Sequence, residues 1–315
     1  LKDLSVCIAH RGEPMGLWLS MESCAIESKI AGVDFEFCIV TNGEKLSADV
    51  RQILAMSKRA GYLGFHKHTD DPLTPQGARQ IAADNASGKY ILFVDNHVLL
   101  CSNFVKRAFL DFDKYGCEIL HSATRYYEND VVCYGYKLQL RTDFWGTSET
   151  VISNPYKPFK IAAAGHGGMF IKKTTFDELG GYYLSSGFAG YAGEEISHDL
   201  GAWMQNKYVW IDPQIEHRHW AASTRGYNRH YSEDFYRNLF SCAYIIANET
   251  AENYIFDMLA RFKKMSKPTL KKSLYDIMIE AYERSKPYAE WLKQRRIRTL
   301  EEQLLYFQTN EIAYR

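Results

Sequence analysis

At 315 residues the chain can bury one large core, or one domain with a helical appendage. Its 46% apolar and 24% charged content is ordinary for a globular protein. Thirty-eight basic and 38 acidic residues cancel, so no global field gathers a polyanion, and nucleic-acid binding would need a local basic patch. The sequence has no apolar run of about 18 residues, signal peptide or lipidation motif, which argues against a membrane span and for a cytoplasmic protein. Seven scattered cysteines without a CxxC pair argue against a zinc knuckle and for a reducing compartment. The 22 tyrosines suit either a Tyr-rich core or a groove for sugars or bases.

The first hundred residues alternate strand and helix. Leu4–Ala9 reads as a strand, and Gly16–Ile30 has helical spacing through Leu17, Met21, Cys24 and Ile26. Phe35–Val40 is a second strand stopped by Asn42-Gly43, and a helix follows over Ser47–Arg59. Phe65 starts a short strand, residues 71–75 form a loop, and Pro75 opens a helix ended by Gly88. Tyr90–Val94 is wholly apolar, as expected at the centre of a parallel sheet. This βαβαβ order predicts an open, mostly parallel sheet with helices on both faces, in the Rossmann manner. Ligands of such sheets bind beyond the carboxyl ends of the strands, which gathers Ala9–Glu13, Thr41–Glu44 and Asp95–His97 around one crevice.

Further on, Ser102–Tyr115 reads as a helix, and Glu118–Arg125 and Val131–Leu140 as strands. Lys160–Ile171 contains a Gly-rich bend and a strand, Gly193–Asn206 is a helix and Tyr208–Ile211 a strand. From Ser232 nearly everything is helical, divided at Lys267-Pro268 and Lys286-Pro287. The expected division is a catalytic α/β domain over 1–231 and a helical region over 232–315.

Asp95-Asn96-His97 directly follows the apolar run. In an extended segment residues i and i+2 share a side, so Asp95 and His97 can converge on one cation while Asn96 turns away or touches the ligand. A carboxylate and an imidazole together suit Mn²⁺ or another transition-series ion better than Ca²⁺. The competing account makes Asp95 a helix cap and His97 a surface residue.

The context resembles the GT-A glycosyltransferases, particularly the polypeptide N-acetylgalactosaminyltransferase branch with its Asp-x-His metal motif. The likeness spans about Leu4 to Tyr236. It is most specific in Ala78-Arg79-Gln80-Ile81-Ala82-Ala83-Asp84-Asn85-Ala86-Ser87-Gly88, which leads into Tyr90-Ile91-Leu92-Phe93-Val94-Asp95 as the family's Ala-Arg-Asn-x-Gly-x-x-x-Ala-x-Gly helix leads into its metal strand. Gln80 and Ala82 depart from that pattern. The resemblance implies a GT-A fold with a helical extension, a Mn²⁺ or Mg²⁺ cofactor and a nucleotide-sugar donor, a UDP-sugar by preference.

Carried over position by position, it assigns Ala9, His10, Arg11 and Glu13 to the nucleoside, and Asn42 to the place of the Asp that bonds uracil. Arg79, Asp95, Asn96 and Gly168 join the donor site, Gly168 through its Gly167-Gly168-Met169-Phe170 strand. Tyr191-Ala192-Gly193-Glu194-Glu195 resembles the Trp-Gly-Gly-Glu-Asn helix start. It makes Glu194 an acceptor- or sugar-binding group and Glu195 a candidate base, although both also suit the first turn of any helix. His219, six residues after Pro213, completes the metal set with Asp95 and His97, and His217 is the fallback. Arg225, Tyr227 and Tyr231, with Arg229 and His230 beside them, fall in a loop that relatives close over the diphosphate.

The implied activity is sugar transfer to a hydroxyl on a protein, a glycan, a small molecule or a hydroxymethylated DNA base. The last would dock on the basic residues Lys263, Lys264, Lys267, Lys271, Lys272, Lys293, Arg295, Arg296 and Arg298. The Asp-x-His motif leans towards retention, a base at Glu195 towards inversion. Two other classes compete: a nucleotidyltransferase, although Ala9–Glu13 has one glycine where that class carries a Gly-rich basic loop, and a non-catalytic binding protein of the same fold.

Overall fold

The computed structural model describes residues 1–43, 45–71, 73–138, 146–148, 150, 152, 156–189, 192–220, 232–265 and 270–309. The chain opens with β1 (Leu4–His10), α1 (Pro14–Ala31), β2 (Phe35–Asn42), α2 (Ala48–Arg59), β3 (Leu63–Thr69), α3 (Pro75–Asp84) and β4 (Tyr90–Asp95). The expected alternation is therefore present. β5 (Val98–Leu100) and α4 (Phe104–Tyr115) follow, then β6 (Ile119–Tyr126) and the short strands β7 (Val132–Cys133), β8 (Tyr136–Leu138), β9 (Gly146–Ser148) and β10 (Phe159–Ile161). Next come β11 (Gly168–Lys172), α5 (Lys173–Glu178), a 3₁₀ turn over Tyr183–Ser185, α6 (Glu194–Met204) and β12 (Val209–His219). The rest is α7 (Glu233–Ala247), α8 (Glu252–Met265), α9 (Leu274–Arg295) and α10 (Leu300–Thr309).

Among the described residues one sheet runs β10-β12-β6-β11-β4-β1-β2-β3, with β5 on β12 and β7 on β6. The pairs β1–β2, β1–β4 and β2–β3 are parallel, so β1, β2 and β4 end at one edge. β11 enters antiparallel between β4 and β6, and β12 runs parallel to β6. The central strands are buried on both faces, which explains their unbroken apolar runs. Leu17, Met21, Cys24 and Phe104 pack one face, and Ala78, Ala82, Phe176 and Tyr182 the other.

α3 starts where Thr74 accepts a hydrogen bond from Gly77 N and Pro75 presets the first turn. Gly88 then lets the chain pass against β1: a Cβ there would stand 2.5 Å from Ser5 N and 2.7 Å from Leu4 C. Gly88 N donates to Ser5 Oγ at 2.8 Å, and Ser5 donates to buried Glu36 at 2.7 Å.

Three features depart from the sequence reading. β12 does not stop at Ile211 but continues to His219 across a register shift between Asp212 and Glu216, where Asp212 Oδ1 takes the Gln214 N–H at 2.9 Å. Val98–Leu100, unassigned above, pairs with its far end. And α9 passes through Pro287 rather than breaking there. Side chains on both sides of the proline, Ala281 and Ser285 before it and Leu292 after it, are buried, and Tyr183 packs on Tyr288 and Trp291. That packing outweighs the roughly 3 kcal/mol helix penalty of an interior proline. Lys267-Pro268 lies outside the described residues.

Gly88→Ala should destabilise the protein by about 3 kcal/mol, the upper end of overpacking costs, because the obstacle is backbone and cannot swing aside. Urea unfolding of the two proteins measures it.

Candidate metal and donor site

Asp95 is the last residue of β4 and lies opposite Ala9 of β1. The turn after it is held by α1, where Ser20 Oγ donates towards Val98 O at 2.9 Å and accepts from Val98 N at 3.0 Å. β5 then runs antiparallel to β12 with Val98 opposite His219. The β12 register shift thus delivers His219 beside His97, 122 residues away in sequence.

The three expected ligands converge. His97 Nε2 and His219 Nε2 are 3.1 Å apart, and Asp95 Oδ2 lies 3.3 Å from His219 Nε2 and 3.8 Å from His97 Nε2. Ligands at about 2.1 Å from one ion stand ~3.0 Å apart at right angles and ~3.4 Å apart at the tetrahedral angle. The two spacings at His219 fall between those values and the Asp95–His97 spacing is wider, so the residues fit a divalent transition-series ion once His97 draws in slightly. Asn96 is buried behind them. Its Oδ1 faces His97 Nδ1 at 3.1 Å and its Nδ2 donates to His10 Nδ1 at 3.0 Å. A carbonyl oxygen only accepts, so His97 Nδ1 carries the proton and Nε2 offers its lone pair to the site. The Nδ1 of His219 is buried and without a hydrogen-bond partner among the described residues.

Arg79, reaching in from α3, donates to Asp95 Oδ1 at 2.5 Å and is only 2% exposed. Burial works against the Asp95 charge, but Arg79 first, and then His219 and His97, hold its carboxyl well below the usual carboxylate range. The sequence placed Arg79 among donor contacts; its described partner is Asp95. His217, the fallback ligand, is not part of the triad. It is buried, its Nδ1 stands 2.7 Å from Ser122 Oγ, and burial pushes it down to about 3, so it is neutral.

Gly168 also has a different task from the one expected. A Cβ there would collide with Ser122 Oγ and stand 2.6 Å from His217 Nδ1, so its smallness serves packing behind the site. Gly167 is the glycine that faces Asp95, with Oδ2 3.2 Å from where its Cβ would be.

Beside the triad, His10, Arg11, Thr41, Asn42, Lys45 and Ser47 line a small open cleft. Burial, and then the neighbouring His66, push His10 down to about 4. Asn42 is pinned at both ends of its amide to the Leu73 backbone, at 3.1 and 3.3 Å. One further N–H and one lone pair remain to it. Ala9 is half-buried near the end of β1, and Glu13 precedes α1 with Oε2 3.7 Å from His97 Nδ1.

Glu194 and Glu195 open α6 behind Gly193, whose φ of +79° few other residues adopt. Of the 11 residues of α6 every one is buried except Glu195. Glu195 Oε1 accepts from His166 N at 3.0 Å. Burial, and then the Glu194 charge, push its carboxyl up to about 8, and burial raises Glu194 also. Arg225, Tyr227 and Tyr231 lie outside the described residues. Sequence reasoning missed Ser20, the His10–Asn96 link and a buried group around Asp199. Only Asp199, one turn beyond Glu195, was signalled by spacing.

No family model and no curated protein matches the sequence. Solved structures do match. GalNAc-T7, crystallised with UDP, GalNAc and Mn²⁺, superposes with a TM-score of 0.66 at 14% identity over 98% of this chain. The chain spans 58% of GalNAc-T7's length. S. aureus TarS superposes with a TM-score of 0.53 at 16% identity over 93% of this chain, which spans 53% of one TarS structure and 87% of the TarS 1-349 structure. The fold is that of the GT-A glycosyltransferases.

Asp95→Ala and His219→Ala should each weaken Mn²⁺ binding by about 100-fold or more, since loss of outer partners alone costs up to that. Calorimetric titration with MnCl₂ reads both. Unchanged affinity in Asp95→Ala would remove the site.

Proposed function

We propose that the protein is a metal-dependent glycosyltransferase that moves a sugar from a nucleoside diphosphate donor, a UDP-sugar by preference, to a hydroxyl. The observation that carries this reading is the Asp95–His97–His219 triad at the carboxyl edge of the sheet, next to an open cleft. GalNAc-T7 holds UDP and Mn²⁺ on the same fold, which supports extending both to this chain.

A cation held by Asp95, His97 and His219 would supply positive charge to the departing diphosphate. The chain's own groups do the rest. Arg79 fixes Asp95 so that Oδ2 is the oxygen presented to the histidines. The cleft of His10, Arg11, Thr41 and Asn42 takes the nucleoside, and neutral His10 can donate to a base through Nε2. Glu195, the open end of an otherwise buried helix, takes the proton of the acceptor hydroxyl, and Glu194 behind it raises its basicity. Arg225, Tyr227 and Tyr231 follow His219 closely in sequence and would contact the diphosphate. Residues 1–231 then form the catalytic part and 232–315 a helical region, whose described residues share a core with α6.

Among possible acceptors, DNA finds less support than the basic count suggests. Lys272 pairs with Glu280, and Lys293 and Arg296 with Glu249, while Arg298 reaches Tyr208. Three of the nine basic residues named above therefore have a carboxylate at close range. No helix of the described residues is long and apolar enough to cross a membrane. The described structure offers nothing that favours nucleotidyl transfer over glycosyl transfer.

Nucleotide release from a panel of UDP- and GDP-sugars with Mn²⁺ tests the proposal, and Asp95→Ala should abolish it. Silence of the wild type towards the whole panel would defeat it. Glu195→Gln should slow turnover by about 10²–10⁴-fold. The base works only when deprotonated, so the rate should climb about tenfold per pH unit below its pKa of about 8 and level off above it.

A further inference from the structure

Beneath the site lies a group that the proposed chemistry does not use. His121 of β6, His166 of the β10–β11 connection and Asp199 of α6 are each 0% exposed, with His198 and Tyr182 packed on them. Asp199 Oδ1 lies 3.1 Å from His166 Nε2 and 3.0 Å from His198 Nδ1. Asp199 Oδ2 accepts from Ala164 N at 3.0 Å and lies 3.2 Å from His121 Nε2. His166 Nδ1 is 2.9 Å from Tyr182 O–H, and His121 Nδ1 is 3.2 Å from Gly165 O.

The direction of each bond follows from what the partner can do. Gly165 O only accepts, so His121 Nδ1 carries a proton. His121 Nε2 lies 3.2 Å from Asp199 Oδ2, off the line of a good hydrogen bond. His166 Nε2 donates to Asp199, so its Nδ1 accepts from Tyr182. Both Asp199 oxygens and His121 Nδ1 are thus hydrogen-bonded inside the protein.

The loop these groups hold is the one that grips Glu195. Asp199 holds Ala164 N, His121 holds Gly165 O, and the next peptide N–H, that of His166, donates to Glu195 Oε1. Glu195 and Asp199 stand one turn apart on one face of α6, so helix and loop are clamped at two rungs. Glycine 167 follows at once and lies against Asp95. We propose that His121, His166 and Asp199 are positioning residues, which fix the 164–167 loop and through it aim Glu195 at the metal edge of the site. This rests on the reading of Glu195 as the base.

Two measurements test it, one independent of activity. In the wild-type protein, imidazole ¹⁵N spectra at pH 7 should show a proton on His121 Nδ1 and, in His166, on Nε2 alone. A bare His121 Nδ1 would release the Gly165 carbonyl and overturn the clamp, and so would a second equivalent of bound divalent metal that disappears in His121→Gln, because a metal would then hold the cluster. The second is a double-mutant cycle on Asp199→Asn and Glu195→Gln, assayed by nucleotide release from a UDP-sugar with Mn²⁺. Asp199→Asn should lower kcat about tenfold or more with KM for the UDP-sugar little changed, and should cost nothing further in the Glu195→Gln background. Additive losses would show that Asp199 does not act through Glu195. UDP and Mn²⁺ affinity, measured by calorimetry, should stay within about twofold in Asp199→Asn. If the wild type turns over no nucleotide sugar while the ¹⁵N pattern holds, the assignment of Glu195 as base fails and the clamp on the loop stands.

Discussion

A single carboxylate at the end of a buried strand sets the terms for the rest of the site. Burying the charge of Asp95 is unfavourable unless it is paired, and the fold brings it two partners from other segments and one from the adjoining turn. Arg79 comes from α3, His97 from the turn after β4, and His219 from the far end of β12. The two oxygens are divided between them: Oδ1 belongs to Arg79 and Oδ2 to the histidines. A carboxylate so divided offers a cation one oxygen in a fixed direction. Arg79 also supplies a positive charge that stays in place whether or not a metal is bound. It lowers the pull of Asp95 on a cation while keeping the carboxylate ionised, a trade of affinity for orientation.

The same environment sorts the acids of α6 into different states. Asp199 is as buried as any residue in the protein, yet His121 and His166 outweigh that burial and hold its carboxyl well below the ordinary range. Glu195 is raised to about 8 by burial and by Glu194 beside it. Two carboxyls one helical turn apart are thus pushed in opposite directions by their neighbours, the pattern that separates a structural anion from a group able to exchange a proton near neutrality.

Much of this was legible in the chain. The alternation from Leu4 to Asp95 dictates a parallel sheet, and the Asp95-Asn96-His97 spacing points two ligands one way. His219 was found by its offset from Pro213 and a family pattern, not by local physics. What brings it to His97 is the shift in β12 between Asp212 and Glu216 and the three-residue strand β5, and neither has a periodicity to read. Asn42 was correctly placed at the strand end, but its double bond to the Leu73 backbone depends on where the chain returns, which composition does not encode. Gly167 and Gly168 look alike in sequence; which of them faces the metal edge is decided by strand alternation across β11 and its neighbours. Pro287 shows the reverse case, a clear local signal overruled by packing on both sides of it.

The C-terminal helices explain why α6 can carry such a strained set of charges. Ile196, Leu200 and Trp203 pack in one cluster with Tyr236, Phe240, Ala243 and Phe262, while the opposite side of α6 meets the polar group of His121 and His166. A helix enclosed on both sides has no freedom to slide when Glu195 changes charge, and its one opening to the site is Glu195 itself. Without that layer, Trp203 and its neighbours would face water, and the cost of holding two adjacent carboxyls at the start of the helix would be relieved by fraying its first turn. The helical region in this sense supports the site, although Asp95, His97 and His219 all precede it in the chain.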